Sequence, residues 1–233
     1  MTLDQNMQMT DLDYRPLRYR DRWFAYLDLL GFTNLVHSKS IEEVIPVYSE
    51  ALIRMRSACK LGVKEAGLLS SWFSDTFIIY TRSDSLADFA HLESAARNFF
   101  QLLITKEIPV RGCISYGKLY SQSKKNIFIG PALVEAHAYG EALNWIGFCL
   151  APSVEEKLKH DLPLDQRLCY RKVMEREILR SAKAEYLYAY AFNNGKVNGR
   201  NHFRETLERM KQKAPSEVRV KYDNTLRFID RSA

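Results

Sequence analysis

The segment FAYLDLLGF, residues 24–32, places one carboxylate, Asp28, inside an otherwise apolar run that closes with Gly31 and Phe32. Apolar and aromatic residues crowd together over residues 22–30 and turn chemistry follows them, a pattern that predicts a buried β-strand. A buried charge destabilises a protein by several kcal/mol unless it is paired or binds a metal ion. Asp28 is therefore the first candidate functional residue.

The composition favours one compact domain with appendages, because 46% of the 233 residues are hydrophobic and 27% are charged. Residues 1–21 lack the order of charged and apolar segments that defines a signal peptide, and we predict a polar N-terminal leader there. The four cysteines show no CxxC pair, which favours free thiols and a cytoplasmic protein. No run approaches the length of a membrane span, so we expect no membrane insertion.

The net charge of +6 leaves nucleic acid, a membrane surface and a polyanionic small ligand open as binding partners. No signature of DNA or RNA binding accompanies the basic residues, and we expect no nucleic-acid partner.

The patterns after the first strand predict an α+β fold close to the ferredoxin-like arrangement, with one sheet and helices on one face. This core domain spans residues 22–152. Its further elements are a helix at 40–62 ending at Gly62, two strands within 68–82 meeting at Ser74-Asp75, a helix at 84–105, a strand at 109–120 broken by Gly117, a helix at 131–143 and a strand at 145–152.

Residues 153–233 are predicted to form an α/β C-terminal extension that packs on the core. We expect strands within 169–178 and 184–192, a hinge-like loop at 196–200, and basic amphipathic helices at 200–213 and 216–230.

A second lone carboxylate, Asp75, stands at the tip of the predicted hairpin. In a β-α-β-hairpin the first strand is central and the hairpin lies beside it, so Asp28 and Asp75 are expected to meet. Paired carboxylates repel unless a cation lies between them, and hard oxygen ligands suit Mg²⁺ or Mn²⁺. Taken alone, Asp75 is more readily explained as an ordinary hairpin-turn residue. The turn at 29–33 offers backbone N–H groups to phosphates.

Four segments together resemble the class III nucleotidyl cyclase domain: FAYLDLLGF (24–32), SWFSDTFIIY (71–80), VRGCISYGKLY (110–120) and FIGPALVEA (128–136). The resemblance implies that Asp28 and Asp75, together with Leu29, hold two divalent cations, Mg²⁺ or Mn²⁺. It also implies that Gly31, Phe32 and Thr33 contact the triphosphate, and that Arg111 begins the family's R-x-G-I-x-x-G strand.

The chain departs from the purine cyclases of this family at the positions that read the base. Their lysine would fall near Ser71 and its aspartate partner near Ile127. Their catalytic asparagine and arginine would fall near Val134 and Ala138, so neither is present. We therefore expect Ser71 to face the base. The candidates to replace the missing arginine are Arg111, Lys118, Lys124 and Lys125.

GPALVEA (130–136) and VRVKYDNTLRFID (218–230) are similar to the bacterial Pycsar anti-phage cyclases. That resemblance implies a pyrimidine nucleotide cyclase that converts UTP or CTP to a 3′,5′-cyclic nucleotide and pyrophosphate. It further implies a homodimer with active sites at the interface and a functional link to a cyclic-nucleotide-binding effector protein. UTP is favoured over CTP on family frequency alone. The alternatives are an atypical adenylate or guanylate cyclase, or a non-catalytic nucleotide-binding domain.

Overall fold

The computed structural model describes residues 19–60, 68–161, 164, 169–192 and 199–232. The strands are β1 (Arg20–Leu29), β2 (Leu69–Phe73), β3 (Thr76–Tyr80), β4 (Val110–Gln122), β5 (Ile127–Ile129), β6 (Gly147–Leu150), β7 (Tyr170–Val173) and β8 (Leu187–Tyr190). The α-helices are α1 (Phe32–Ser38), α2 (Ile41–Lys60), α3 (Leu86–Thr105), α4 (Pro131–Ala142), α5 (Pro152–Leu158), α6 (Arg176–Leu179), α7 (Gly199–Lys213) and α8 (Arg219–Arg231). Short 3₁₀ turns cover Ser123–Lys125 and Ser216–Val218.

One mixed, mostly antiparallel sheet organises the described part of the chain. Its strand order is β2-β3-β1-β4-β6-β8-β7, and β5 pairs with β4 beside this path. The strand that holds Asp28, β1, lies between β3 and β4 and is antiparallel to both. The α+β fold class predicted from the sequence is thus confirmed.

Helices cover both faces of the sheet, so the prediction that they lie on one face is wrong. Trp23 and Leu27 of β1 belong to the core formed with α2 and α3. Phe24 and Tyr26, which point the other way, pack with α4. A Cβ atom on Gly140 would lie 2.8 Å from the Tyr26 ring, so α4 lies close against β1. The near-continuous apolar run of β1 is typical of a strand buried on both faces.

The C-terminal helix α8 is fixed to the segment between α4 and β6. The backbone N–H of Ile146 donates to Thr225 Oγ1 at 2.8 Å, and Asn224 Nδ2 donates to the Asn144 carbonyl at 2.7 Å. The rings of Trp145 and Phe228 are 5.2 Å apart, edge to face. These contacts place the first turns of α8 near the strand ends that carry Asp28.

Several element predictions need correction. The β4 strand continues through Gly117 to Gln122, because Gly117 adopts a φ of 152° without ending the pairing to β1. Residues 169–178 are a strand only as far as Val173 and then form α6. The short helices α1 and α5 were not predicted as elements. Residues 1–18, Gly62 and residues 196–198 lie outside the described ranges.

None of the helices in the described ranges combines the length and the apolar character needed to cross a lipid bilayer.

Candidate active site

Asp28 lies at the buried end of the central strand β1. In the antiparallel register it stands opposite Arg111 of β4 and opposite Thr76 of β3. Strand alternation puts its side chain on the same face as Tyr26, the face that α4 covers. The side chain is mostly buried, so its charge has little access to water.

Asp75 is held beside Asp28 by the β2–β3 turn. The turn consists of Ser74 and Asp75, and Ser74 adopts the left-handed conformation that tight hairpins need, with φ 53°. The backbone N–H of Leu29 donates to the Asp75 carbonyl at 3.0 Å, which fixes the turn to the end of β1. The structure thus brings the two carboxylates of this pair to one place.

The pKa of Asp28 is raised to about 6 by burial first, and then by the negative charges of Asp75 and Glu141. The Arg111 guanidinium opposes this increase without cancelling it. A carboxylate that is hard to ionise because of burial and neighbouring carboxylates is stabilised in its charged form by a bound cation.

Arg111 is shared between two carboxylates. Its Nη2 lies 3.4 Å from Asp28 Oδ2 and also forms an ion pair with Glu141, while Nη1 donates to the Glu141 carbonyl at 3.2 Å. The Tyr26 hydroxyl donates to Glu141 Oε1 at 3.1 Å. Burial, Asp28 and Glu141 raise the pKa of Tyr26, so the phenol stays protonated and remains a donor.

Glu141 is a site residue that the sequence analysis missed. It lies near the end of α4, on the half-exposed rim of the site, where its carboxylate positions Arg111. No motif or spacing marks it in the sequence, because its relation to Asp28 depends on how α4 crosses the sheet.

The donor set fits a divalent cation that also uses ligands from a substrate. Among the described residues, no group of three or more His, Cys, Asp and Glu side chains is arranged to hold a metal ion. Magnesium commonly takes only one or two carboxylates and completes its octahedron with water and substrate phosphates. Asp28 and Asp75 supply two such hard oxygen donors, and their mutual repulsion favours a cation between them.

Comparison with known proteins finds similarity in the fold and not in the sequence. No protein-family model and no curated protein matches the chain. The guanylate cyclase domain of a protein from Catenaria anguillulae, solved in complex with GTP, superposes with a TM-score of 0.56 at 12% identity, covering 74% of this chain and 95% of that domain. The adenylyl cyclase CyaB from P. aeruginosa superposes with a TM-score of 0.54 at 12% identity, covering 74% of this chain and 94% of that one. A dimeric guanylyl cyclase domain from the aquatic fungus Blastocladiella emersonii superposes with a TM-score of 0.53 at 12% identity, covering 73% of this chain and 94% of that domain.

The chain has the fold of the nucleotide cyclase domains. Within this cyclase fold, Asp28 and Asp75 occupy the end of the central strand and the adjoining hairpin turn. Leu29 follows Asp28 at the end of β1, and Gly31, with φ 77°, makes the turn into α1, which Phe32 and Thr33 begin.

Ser71 does not contact Asp28 and lies instead in a separate groove on the same face of the cyclase fold. Its hydroxyl donates to Asn126 Oδ1 at 3.0 Å. The groove has a volume of about 260 Å³. Its lining consists of uncharged residues: Ser71, Trp72, Phe73, Thr76, Ile78, Asn126, Phe128 and Leu133. Because Thr76 also pairs with Asp28, the groove adjoins the carboxylate site.

Of the lysines proposed to replace the missing arginine, Lys118 lies far from Asp28 in the same chain. Lys118 pairs with Asp21 at the far end of β1, about 20 Å along the strand from Arg111. Lys125 lies in the 3₁₀ turn after β4, and the side chain of Lys124 is outside the described part. Of the candidates that are described, Arg111 alone contacts Asp28.

Proposed function

We propose that this chain is a pyrimidine nucleotide cyclase that converts UTP or CTP to the 3′,5′-cyclic nucleotide and pyrophosphate. The observation that carries the proposal is the convergence of Asp28 and Asp75 at the end of the central strand of a cyclase fold. A buried carboxylate with a raised pKa, Asp28, beside the second carboxylate of Asp75 suits a metal-dependent reaction in which the substrate attacks itself.

The reaction exchanges one phosphorus–oxygen bond for another and releases the proton of the attacking hydroxyl. The 3′-hydroxyl oxygen attacks the α-phosphorus, the bond between that phosphorus and the bridging oxygen breaks, and pyrophosphate leaves with the bonding electrons. The hydroxyl proton passes to solvent. Two Mg²⁺ or Mn²⁺ ions, when bound, lower the pKa of the hydroxyl and neutralise the phosphates.

The residues of the chain position these groups. Asp28 and Asp75, with the backbone of Leu29, hold the cations, and the turn formed by Gly31, Phe32 and Thr33 faces the phosphates. Positioning and electrostatic stabilisation supply most of the rate in such a reaction.

Arg111 is one cation that is available to a substrate phosphate. It is already held at the site by Glu141 and Asp28, and a phosphate that displaces one of these carboxylates gains a bidentate partner. We propose that Glu141 keeps the guanidinium in place between substrate molecules.

The preference for a pyrimidine is supported by the groove around Ser71 and Asn126. A purine cyclase of this family is expected to have a lysine near Ser71 and an aspartate near Ile127, whereas this chain has a Ser71–Asn126 hydrogen bond there. An amide and a hydroxyl together donate and accept, as the edge of uracil or cytosine requires. Trp72 and Phe73 add aromatic surface to the lining of this groove.

A homodimer is supported by apolar side chains exposed around this groove. Phe73 is 75% exposed, Ile129 62% and Val134 64%, and they lie in or directly beside its lining segments. Contiguous exposed apolar residues mark association surfaces. We propose that a second copy covers them and completes the active site.

The biological role that we propose is second-messenger synthesis in bacterial anti-phage defence. It is supported by the resemblance of residues 130–136 and 218–230 to the Pycsar cyclases. The cyclic nucleotide would act on a cyclic-nucleotide-binding effector protein in the cytoplasm, with no role for nucleic-acid binding or membrane insertion.

The test is to incubate the purified protein with Mn²⁺ and each of the four ribonucleoside triphosphates and to identify products by mass spectrometry. We expect cyclic UMP or cyclic CMP. Cyclic AMP or cyclic GMP would replace the proposal with an atypical purine cyclase, the activity of the structurally similar domains named above. No product from any nucleotide, with folded dimeric protein, would favour a non-catalytic nucleotide-binding domain.

A further inference from the structure

Lys221 is a half-buried cation of the C-terminal extension that the proposed function does not use. It lies in the first turns of α8, which Thr225 and Asn224 fix to the core. Within the described residues, its ammonium group makes no hydrogen bond or ion pair. Burial, followed by the nearby Arg111 guanidinium, lowers its pKa, whereas Glu141 and Asp28 act in the opposite direction. Lys221 therefore lies within electrostatic reach of the Asp28 site without a direct partner there.

Open space connects Lys221 to the turn that follows Asp28. A cavity of about 430 Å³ lies between the core and the extension. Its core side includes Leu30, Gly31 and Pro109, and its extension side includes Lys221 and Tyr222. A group that binds at Gly31 and projects into this cavity meets the ammonium group of Lys221.

Among the described residues, two lysines of α7, unlike Lys221, already have carboxylate partners. Lys213 lines the same cavity but pairs with Glu107 at 2.6 Å, and Lys211 is paired with Asp223. A half-buried lysine with no direct partner gains most from an anionic ligand, because a charge-assisted contact offsets the loss of hydration.

We propose that Lys221 binds the phosphate chain of the nucleotide, so that the extension supplies a cation to the active site from outside the core. The inference rests on the proposed function and extends it. It gives residues 219–231 a direct role at the site, because α8 holds a lysine that lines the cavity beside Gly31.

The test measures binding of inorganic tripolyphosphate in the presence of Mn²⁺ by calorimetry, with no catalysis required. We expect Lys221→Gln to weaken binding about tenfold or more, since a hydrogen bond to a charged group is lost. Lys221→Arg should restore most of the affinity. Lys211→Gln removes one positive charge from the extension away from the cavity, and we expect it to leave the affinity unchanged.

The kinetic readout distinguishes binding from a structural effect. Lys221→Gln should raise KM for the nucleotide at least as strongly as it lowers kcat, with an unchanged thermal midpoint. Unchanged tripolyphosphate affinity in Lys221→Gln, or an equal loss in Lys211→Gln, would overturn the inference. If wild-type protein binds tripolyphosphate through Lys221 but forms no cyclic nucleotide, the proposed function fails and the assignment of Lys221 stands.

Discussion

The guanidinium of Arg111 lies 3.4 Å from the carboxylate of Asp28, across the β1–β4 pair, and at the same time pairs with Glu141. Asp75 adds a third carboxylate, which acts on Asp28 from the hairpin side. Three carboxylates thus face one directly bonded cation, and the excess negative charge favours binding of a divalent ion. The ionised form of Asp28 is disfavoured in this arrangement, and carboxylates with a perturbed pKa are concentrated at functional sites.

Asp28→Asn should stabilise the metal-free protein at pH 7.5 while abolishing activity. The pKa of about 6 in the folded protein, against 3.8 for the free side chain, means that ionisation opposes folding. The full pKa shift of Asp28 corresponds to about 3 kcal/mol in the free energy of unfolding. We expect Asp28→Asn to gain about half of that, because water screens part of the site. Urea unfolding in EDTA measures the gain. Asp21→Asn, on the same strand, is the matched control and should show none.

The same pKa makes the stability of the metal-free wild type depend on pH. Because the folded-state value is raised, the stabilisation from protonated Asp28 is present below pH 4 and is lost as the pH rises through about 6. The contribution of Asp28 is the difference between the wild-type and Asp28→Asn unfolding curves. That difference should grow from pH 4 to pH 7.5, and a constant difference would contradict the assignment.

Glu141→Gln should shift the acid limb of the activity profile to lower pH. Removing this negative charge lowers the pKa of Asp28, so the carboxylate is available to a metal ion at lower pH. Activity measured from pH 5 to pH 8 tests this. Glu135→Gln, on the same helix but bonded to Ser153, is the control and should leave the profile in place. A shift to higher pH in Glu141→Gln would be the opposite of our expectation.

Phe73→Glu should convert the protein to an inactive monomer. A charge at this exposed aromatic position repels the second copy that we propose covers the groove. Sedimentation and activity are measured together. Ile45→Glu, at an exposed apolar position on α2 away from the groove, should leave both unchanged. A Phe73→Glu dimer with full activity would place the interface elsewhere.

Asn126→Gly should lower kcat/KM for the preferred pyrimidine nucleotide about tenfold or more. Asn126 has φ 54°, so glycine removes the amide without straining the backbone, whereas alanine would add strain. A lost base contact of this kind leaves a partner group unpaired. Equal loss for all four nucleotides would instead indicate a structural role for the Ser71–Asn126 pair.

The sequence predicts the centre of this fold well because β1 and the hairpin carry strong local signals. Asp28 stands out against an apolar strand, and the Ser74-Asp75 turn follows from local turn chemistry. That Asp28 and Asp75 lie close together follows from the strand order, because the hairpin pairs with β1. The long helices α2, α3, α7 and α8 are recognisable for the same reason, since their apolar periodicity is local.

The rest of the site depends on contacts that no local pattern encodes. Glu141 reaches Arg111 because α4 packs on the second face of the sheet, a face that the sequence analysis left uncovered. Lys221 lies within electrostatic reach of the site because Thr225 and Asn224 fix α8 to the core. Lys118 was predicted as a site residue because it belongs to the same motif segment as Arg111. The β1–β4 register places it opposite Asp21, at the end of β1 that is far from Asp28.

The most direct measurement is a double-mutant cycle on cyclic nucleotide formation with Asp28→Asn, Asp75→Asn and the double variant. If the two carboxylates hold the same cations, either single change should reduce kcat by about 10³-fold or more, and the double variant should be no worse than the poorer single one. Losses that multiply in the double variant, or substantial activity in either single variant, would contradict the claim that Asp28 and Asp75 act together in one metal-dependent cyclisation.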